Sequence, residues 1–136
     1  MFPAETVVLV IDDMISMRKT LTNIIKDFGL TKVTEAQNGL EALSILNNNY
    51  KAGNPVGLVL CDWHMPEMSG LDLLKSIRER DEFKALPFLM ITAENDKSKI
   101  IEAIKCGVSN YMVKPFSPSD VKAKLTEIWK KHNPGK

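Results

Sequence analysis

Apolar residues along this chain alternate between two periods. Val7–Ile11 and the stretches 58–61 and 88–91 are short, unbroken apolar runs rich in branched side chains. Bounded runs of that length suit strands covered on both faces, as in a parallel sheet. Lys32–Ala36 and Asn110–Val113 are weaker runs in the same rhythm. Between the strands the spacing turns helical. Leu21, Ile24, Ile25 and Phe28 recur at i, i+3, i+4 and i+7, and Gly29 follows where a left-handed stop closes a helix. Leu40, Leu43 and Leu46 follow Asn38 as a cap, and Leu71, Leu74 and Ile77 follow Ser69. Ile100, Ala103 and Ile104 stripe a fourth helix stopped by Gly107; a fifth starts at Ser117 or Ser119, with Pro118 in its first turn, and buries Val121, Leu125, Ile128 and Trp129. The stretch 47–55, with three Asn, Gly53 and Pro55, predicts a long loop, and 132–136 predicts a frayed tail.

Strict alternation of five strands with five helices predicts an α/β fold: a (βα)5, flavodoxin-like, doubly wound parallel sheet of order 2-1-3-4-5, the order most expected at this size. The 136 residues then make one domain, 1–136. An apolar fraction of 44% with 26% charged residues excludes a disordered chain. No apolar run approaches the roughly 18 residues of a membrane span, and Glu5, Asp12 and Asp13 break any signal-peptide pattern, so a cytoplasmic protein away from membranes is expected. The two cysteines, Cys61 and Cys106, read as reduced, partly buried fillers. The net charge of +1 divides unevenly: residues 1–96 hold 9 Lys and Arg against 14 acids, and residues 97–136 hold 9 Lys against 3 acids. That split suits an acidic site and a basic face, and the near-zero total argues against nucleic acid as a partner.

In an open α/β sheet, ligands bind outside the carboxyl ends of the strands. Strand one ends in Asp12-Asp13, strand three in Asp62, strand four in Thr92 and strand five in Lys114-Pro115. Each group alone has a plain reading: the aspartates as helix caps, Thr92 as a strand-end hydroxyl, Lys114 as a surface lysine. Their convergence on one sheet edge points to chemistry. Carboxylates packed together repel unless a cation lies among them, and hard oxygen donors suit Mg²⁺ over zinc. A lysine and a threonine beside such a cage suit a phosphoryl group, whose oxygens need neutralising.

These residues resemble the receiver domain of bacterial two-component response regulators from about Val7 to about Lys130. The resemblance rests on Asp12-Asp13, on the run Asp62 to Gly70 (DWHMPEMSG), on Ile91-Thr92-Ala93-Glu94 and on Tyr111-Met112-Val113-Lys114-Pro115-Phe116. Within the family, Ser16-Met17-Arg18, the Asp-Trp-x-Met-Pro-x-Met stretch and Tyr111 are most similar to the chemotaxis members. The resemblance implies that Asp62 accepts a phosphoryl group from a CheA-like histidine kinase. It implies Mg²⁺ on Asp13, Asp62 and the backbone carbonyl of His64, with Asp12 helping through water. Thr92 and Lys114 would hold the phosphoryl oxygens, a cis Lys114–Pro115 bond would aim the ammonium, and Met65, Pro66 and Gly70 would shape the loop above.

The same resemblance implies a switch in which Thr92 moves toward the phosphoryl group and Tyr111 turns inward, altering an output face that carries Lys97, Tyr111 and Lys122. A FliM-like flagellar motor switch protein is the expected target, a phosphatase is a further partner, and a monomer is expected. His64 and Glu94 would tune dephosphorylation; His64 stands where the chemotaxis members carry an amide. The activity is then self-directed, phosphorylation and dephosphorylation of the chain itself, with no enzyme turnover on another substrate. A relay or phosphate-sink receiver is the alternative in the same fold. A haloacid-dehalogenase-type phosphatase is remote, because Asp12-Asp13-Met14 lacks its Asp-x-Asp.

Overall fold

The computed structural model describes residues 1–93 and 97–135. Its strands are β1 (Val7–Ile11), β2 (Lys32–Ala36), β3 (Leu58–Asp62), β4 (Phe88–Thr92) and β5 (Asn110–Val113). They alternate with α1 (Ile15–Asp27), α2 (Gly39–Lys51), α3 (Gly70–Arg78), α4 (Lys97–Lys105) and α5 (Pro118–His132). All pairings are parallel and the order is β2-β1-β3-β4-β5. The sheet divides the apolar residues into two cores by strand alternation. Leu9, Ile11, Val59, Cys61, Phe88 and Met90 face α2, α3 and Ala103 of α4. Val8, Val10, Leu58, Leu60, Leu89 and Ile91 face α1 and α5. Truncating any of these buried leucines to alanine costs about 2–5 kcal/mol in such cores.

Local signals set the helix ends. Asn38 and Ser69 accept the Glu41 and Asp72 N–H groups at 2.8 and 3.1 Å. Ser117 and Asp120 form a reciprocal capping box with Pro118 in the first turn, which fixes the start of α5 at the first of the two expected serines. Gly29 and Gly107 both take a left-handed φ of 90°, as a helix stop needs. Among the described residues no helix is long and apolar enough to cross a membrane.

Several expectations need correcting. The stretch 47–55 is not one long loop, because α2 continues through Lys51; Leu46 is fully buried and Tyr50 packs edge-on against Phe83 at 5.8 Å, so tertiary contact overrides the poor helix propensity of three asparagines. His132 is the last residue of α5, not tail, and bonds Ser109. Ile104 is 56% exposed and Leu40 53%, so the α4 stripe rests on Ala103 and that of α2 on Ala42 and Leu46. Cys61 is completely buried, and burial, with Asp62 and Asp12 behind it, holds its thiol far above the ordinary value. β3 and β4 each run one residue beyond the apolar pattern and so include Asp62 and Thr92.

Candidate functional site

Four strand ends deliver their polar residues to one edge. Asp12 prolongs the β1–β2 ladder through its N–H to the Ala36 carbonyl at 3.1 Å, and its Oδ1 accepts the Met14 N–H at 2.9 Å. It therefore caps the loop, while α1 begins at Ile15 after Met14, with no side-chain cap of its own. Asp62 closes β3 at 7% exposure and Thr92 closes β4 at 2%. Lys114 follows β5 with its N–H on the Thr92 carbonyl at 2.8 Å, and its bond to Pro115 is cis. From there its Nζ reaches Asp62 Oδ1 at 3.2 Å and Asp12 Oδ2 at 3.7 Å.

The loop after β3 folds back on the end of that strand. Trp63 donates to the Ile91 carbonyl and accepts from the Gly70 N–H, both at 2.8 Å, and Glu67 takes a positive φ of 70° within this return. A Cβ on Gly70 would lie 2.4 Å from the Asp62 carbonyl oxygen and 3.0 Å from Trp63 Cα. Only glycine lets the start of α3 approach so near to the end of β3.

Carboxylate oxygens from Asp12, Asp13 and Asp62 lie within 4.8 Å of one another. Burial raises the Asp62 carboxyl above its ordinary value; Lys114 opposes this and Asp13 adds to it. Asp12 is raised chiefly by burial, opposed by the Met14 N–H and Lys114 and reinforced by Asp62 and Asp13. Three carboxylates against one ammonium leave an excess of two negative charges. Hard oxygen donors in that balance fit a divalent cation of the Mg²⁺ kind, which carries the missing positive charge.

Other expected residues are placed less tightly. His64 is exposed beside Asp62 and adds a weak positive influence there. Tyr111 is half-buried against the α2–α3 core, with Lys124 Nζ 5.3 Å above its ring. Lys97 and Lys122 are exposed on α4 and α5. Glu94 lies outside the described residues.

One device was not foreseen. Arg18 donates from Nη1 to the Asp12 carbonyl at 2.7 Å and from Nε to Glu35 at 3.1 Å, and Lys19 joins the same carboxylate at 3.1 Å. This clamp ties α1 and β2 to the loop that carries both acids. Its partners are 6 and 17 residues apart, so no local pattern marks it.

Comparison with known proteins agrees with this geometry. The response regulator receiver domain family matches residues 8–126. CheY-3 of Vibrio cholerae is 44% identical over 124 residues, covering 91% of this chain and 92% of that protein. CheY1 of Helicobacter pylori is 43% identical over 120 residues, covering 88% of this chain and 94% of that one. Among solved structures, V. cholerae CheY4 superposes with a TM-score of 0.79 at 32% identity, covering 90% and 98% of the two chains. CheY in the CheX-CheY-BeF3-Mg complex of Borrelia burgdorferi reaches 0.83 at 28% identity, covering 91% and 89%. With an acidic cluster, a threonine and a lysine at the carboxyl edge of a 2-1-3-4-5 sheet, the chain belongs to the response regulator receiver family of two-component signalling, as a regulator of the CheY type.

Proposed function

We propose that Asp62 accepts a phosphoryl group from the phosphohistidine of a CheA-like histidine kinase. An Asp62 carboxylate oxygen attacks phosphorus, the P–N bond breaks with its electron pair passing to the donor imidazole, and an acyl phosphate forms on Asp62. The observation that carries this reading is the buried Asp62 carboxylate, 3.2 Å from Lys114 and grouped with two further aspartates. Asp13, Asp62 and the His64 backbone carbonyl would hold Mg²⁺, with Asp12 acting through water. When bound, the ion neutralises phosphoryl charge that Lys114 alone cannot balance. The magnesium in the Borrelia CheY complex supports the same choice of metal.

Thr92 and Lys114 take the phosphoryl oxygens, and Thr92 moving toward them opens room for Tyr111 to turn inward. His64, exposed beside the acceptor, governs how water reaches the acyl phosphate and hence how long it lasts. The altered face around Lys97, Tyr111 and Lys122 then docks to an acidic segment of a FliM-like flagellar motor switch protein, and a phosphatase ends the signal. A small phosphodonor with Mg²⁺, followed by intact-mass measurement, tests the core of this. The wild type gains one alkali-labile phosphoryl group and Asp62→Asn gains none; an adduct that survives Asp62→Asn overturns the assignment.

A further inference from the structure

A cavity of about 420 Å³ opens at the amino end of the sheet, beneath β4 and β5 and between the last turns of α3 and α5. Arg78, Lys84, Lys131 and His132 all line it, and none of its lining residues is acidic. These three cations and one imidazole come from α3, from the segment before β4 and from α5, so they are not one solvated helix face.

Their present partners are all but one neutral. Arg78 donates from Nε to the Gly107 carbonyl at 3.0 Å and from Nη1 to the Phe83 carbonyl at 2.8 Å. Lys131 Nζ donates to the Ser109 carbonyl at 3.2 Å. His132 Nε2 lies 2.7 Å from Ser109 Oγ, which also accepts the Phe88 N–H at 3.0 Å. Among the described residues no carboxylate lies within ion-pair distance of Arg78, Lys131 or His132; only Lys84 has one, Asp81 at 2.7 Å. The other nearby acid, Glu127, is held at 2.6 Å by Asn110 and at 4.0 Å by Lys124. Burial, Arg78 and Lys131 together push the His132 imidazole below its ordinary value, the direction expected where positive charge is crowded without a counter-ion.

A small oxyanion relieves that crowding. Oxygen acceptors bonded to ionised donors form the stronger class of hydrogen bond, and a guanidinium with two N–H groups already committed to carbonyls is held in a fixed orientation. Roughly 30 Å³ per water makes the cavity large enough for a diphosphate or tricarboxylate with part of its hydration. We infer that this basal cavity is a binding site for a small, multiply charged oxyanion of the phosphate or polycarboxylate class, separate from the phosphoryl site at the opposite end of the sheet.

The chain has two histidines, one at each end, and that supplies an internal control. Pyrophosphate is titrated into the metal-free protein while the His64 and His132 imidazole resonances are followed by NMR and binding is followed by calorimetry. The expected result is saturable binding of one pyrophosphate that moves His132 and leaves His64 in place. It persists in Asp62→Asn, so it does not depend on the proposed phosphorylation chemistry. A Lys131→Gln/His132→Gln double variant, which keeps Arg78 on its carbonyls, is expected to bind at least about fivefold more weakly, as loss of charged donors requires. Binding that shifts only His64, equal affinity in the double variant, or no saturation overturns the site. Saturation by a glutamate-rich peptide with none by pyrophosphate overturns it in favour of a protein partner.

Discussion

At the carboxyl end of the sheet three carboxylates crowd within 4.8 Å, and at the amino end four basic side chains line one cavity. The two crowds are held differently. Asp12 and Asp62 sit on strand ends, almost fully buried, with a lysine brought across from β5 to meet them. Arg78 and Lys131 sit in the last turns of helices, where cations also complement the helix dipole, and bond to carbonyls. The acidic pole is set by strand backbone; at the basic pole only Arg78 is tied down by two carbonyls, while the cations around it hang on longer side chains. The first arrangement suits the covalent chemistry proposed for Asp62, the second the reversible capture inferred for the basal cavity.

The largest expected break in that contrast comes from glycine. Gly70→Ala drives a Cβ into the Asp62 carbonyl, with backbone on both sides that cannot yield, and is expected to cost about 2–3 kcal/mol by urea unfolding, with loss of phosphorylation. Gly107→Ala at the basic pole meets only Arg78 atoms at 3.3 Å and beyond, so its cost is the left-handed φ alone, about 1 kcal/mol, with phosphorylation retained. Equal effects at both poles would erase the distinction between rigid and adjustable.

The next expectation concerns pH. A carboxyl raised in the fold contributes stability that is complete below its unfolded pKa and is lost as pH rises through the folded value. Asp12 and Asp62 both lie on this side, so at neutral pH without metal their charges oppose folding. Asp12→Asn keeps an acceptor for the Met14 N–H, and is expected to stabilise the metal-free protein by about 1 kcal/mol at pH 7 and by nothing below about pH 4. Denaturant midpoints at the two pH values check it; a gain independent of pH refutes the electrostatic account. On the proposed role of Asp12 toward Mg²⁺, the sign is expected to reverse with the ion present, since the variant would bind it more weakly.

The smallest expected effect is at the basic output face. Lys97→Glu with Lys122→Glu should weaken capture of an acidic motor-switch peptide by the phosphorylated form about threefold at low salt and flatten its salt dependence. Unchanged affinity removes the electrostatic part of the docking proposal. The acidic pole should take up phosphoryl groups as before, because both lysines are exposed and neither is among the groups that shift Asp12 or Asp62.

Legibility in the sequence followed the physics of burial. Strands buried on both faces read as continuous apolar runs, so their ends, and the acidic residues there, could be located within one residue. Capping serines, Asn38 and the stop glycines carry their own local chemistry and were equally plain. The continuation of α2 through Lys51 was hidden because its support, Phe83 against Tyr50, lies 33 residues away. The Arg18–Glu35 clamp and the cavity around Arg78 were hidden for the same reason. Each is made of surface-type residues whose meaning depends on neighbours that only the folded chain provides.

Asp62 and Lys114 are separated by 52 positions, and Asp12 lies 50 positions before Asp62. Contacts of that sequence separation close late, after the entropy of long loops has been overcome. A nascent or partly folded chain therefore lacks the grouping around Asp62, even when its individual helices have formed. The proposed phosphoryl uptake would in this sense be a proofreading signal: only molecules that have completed the whole sheet assemble the acidic site.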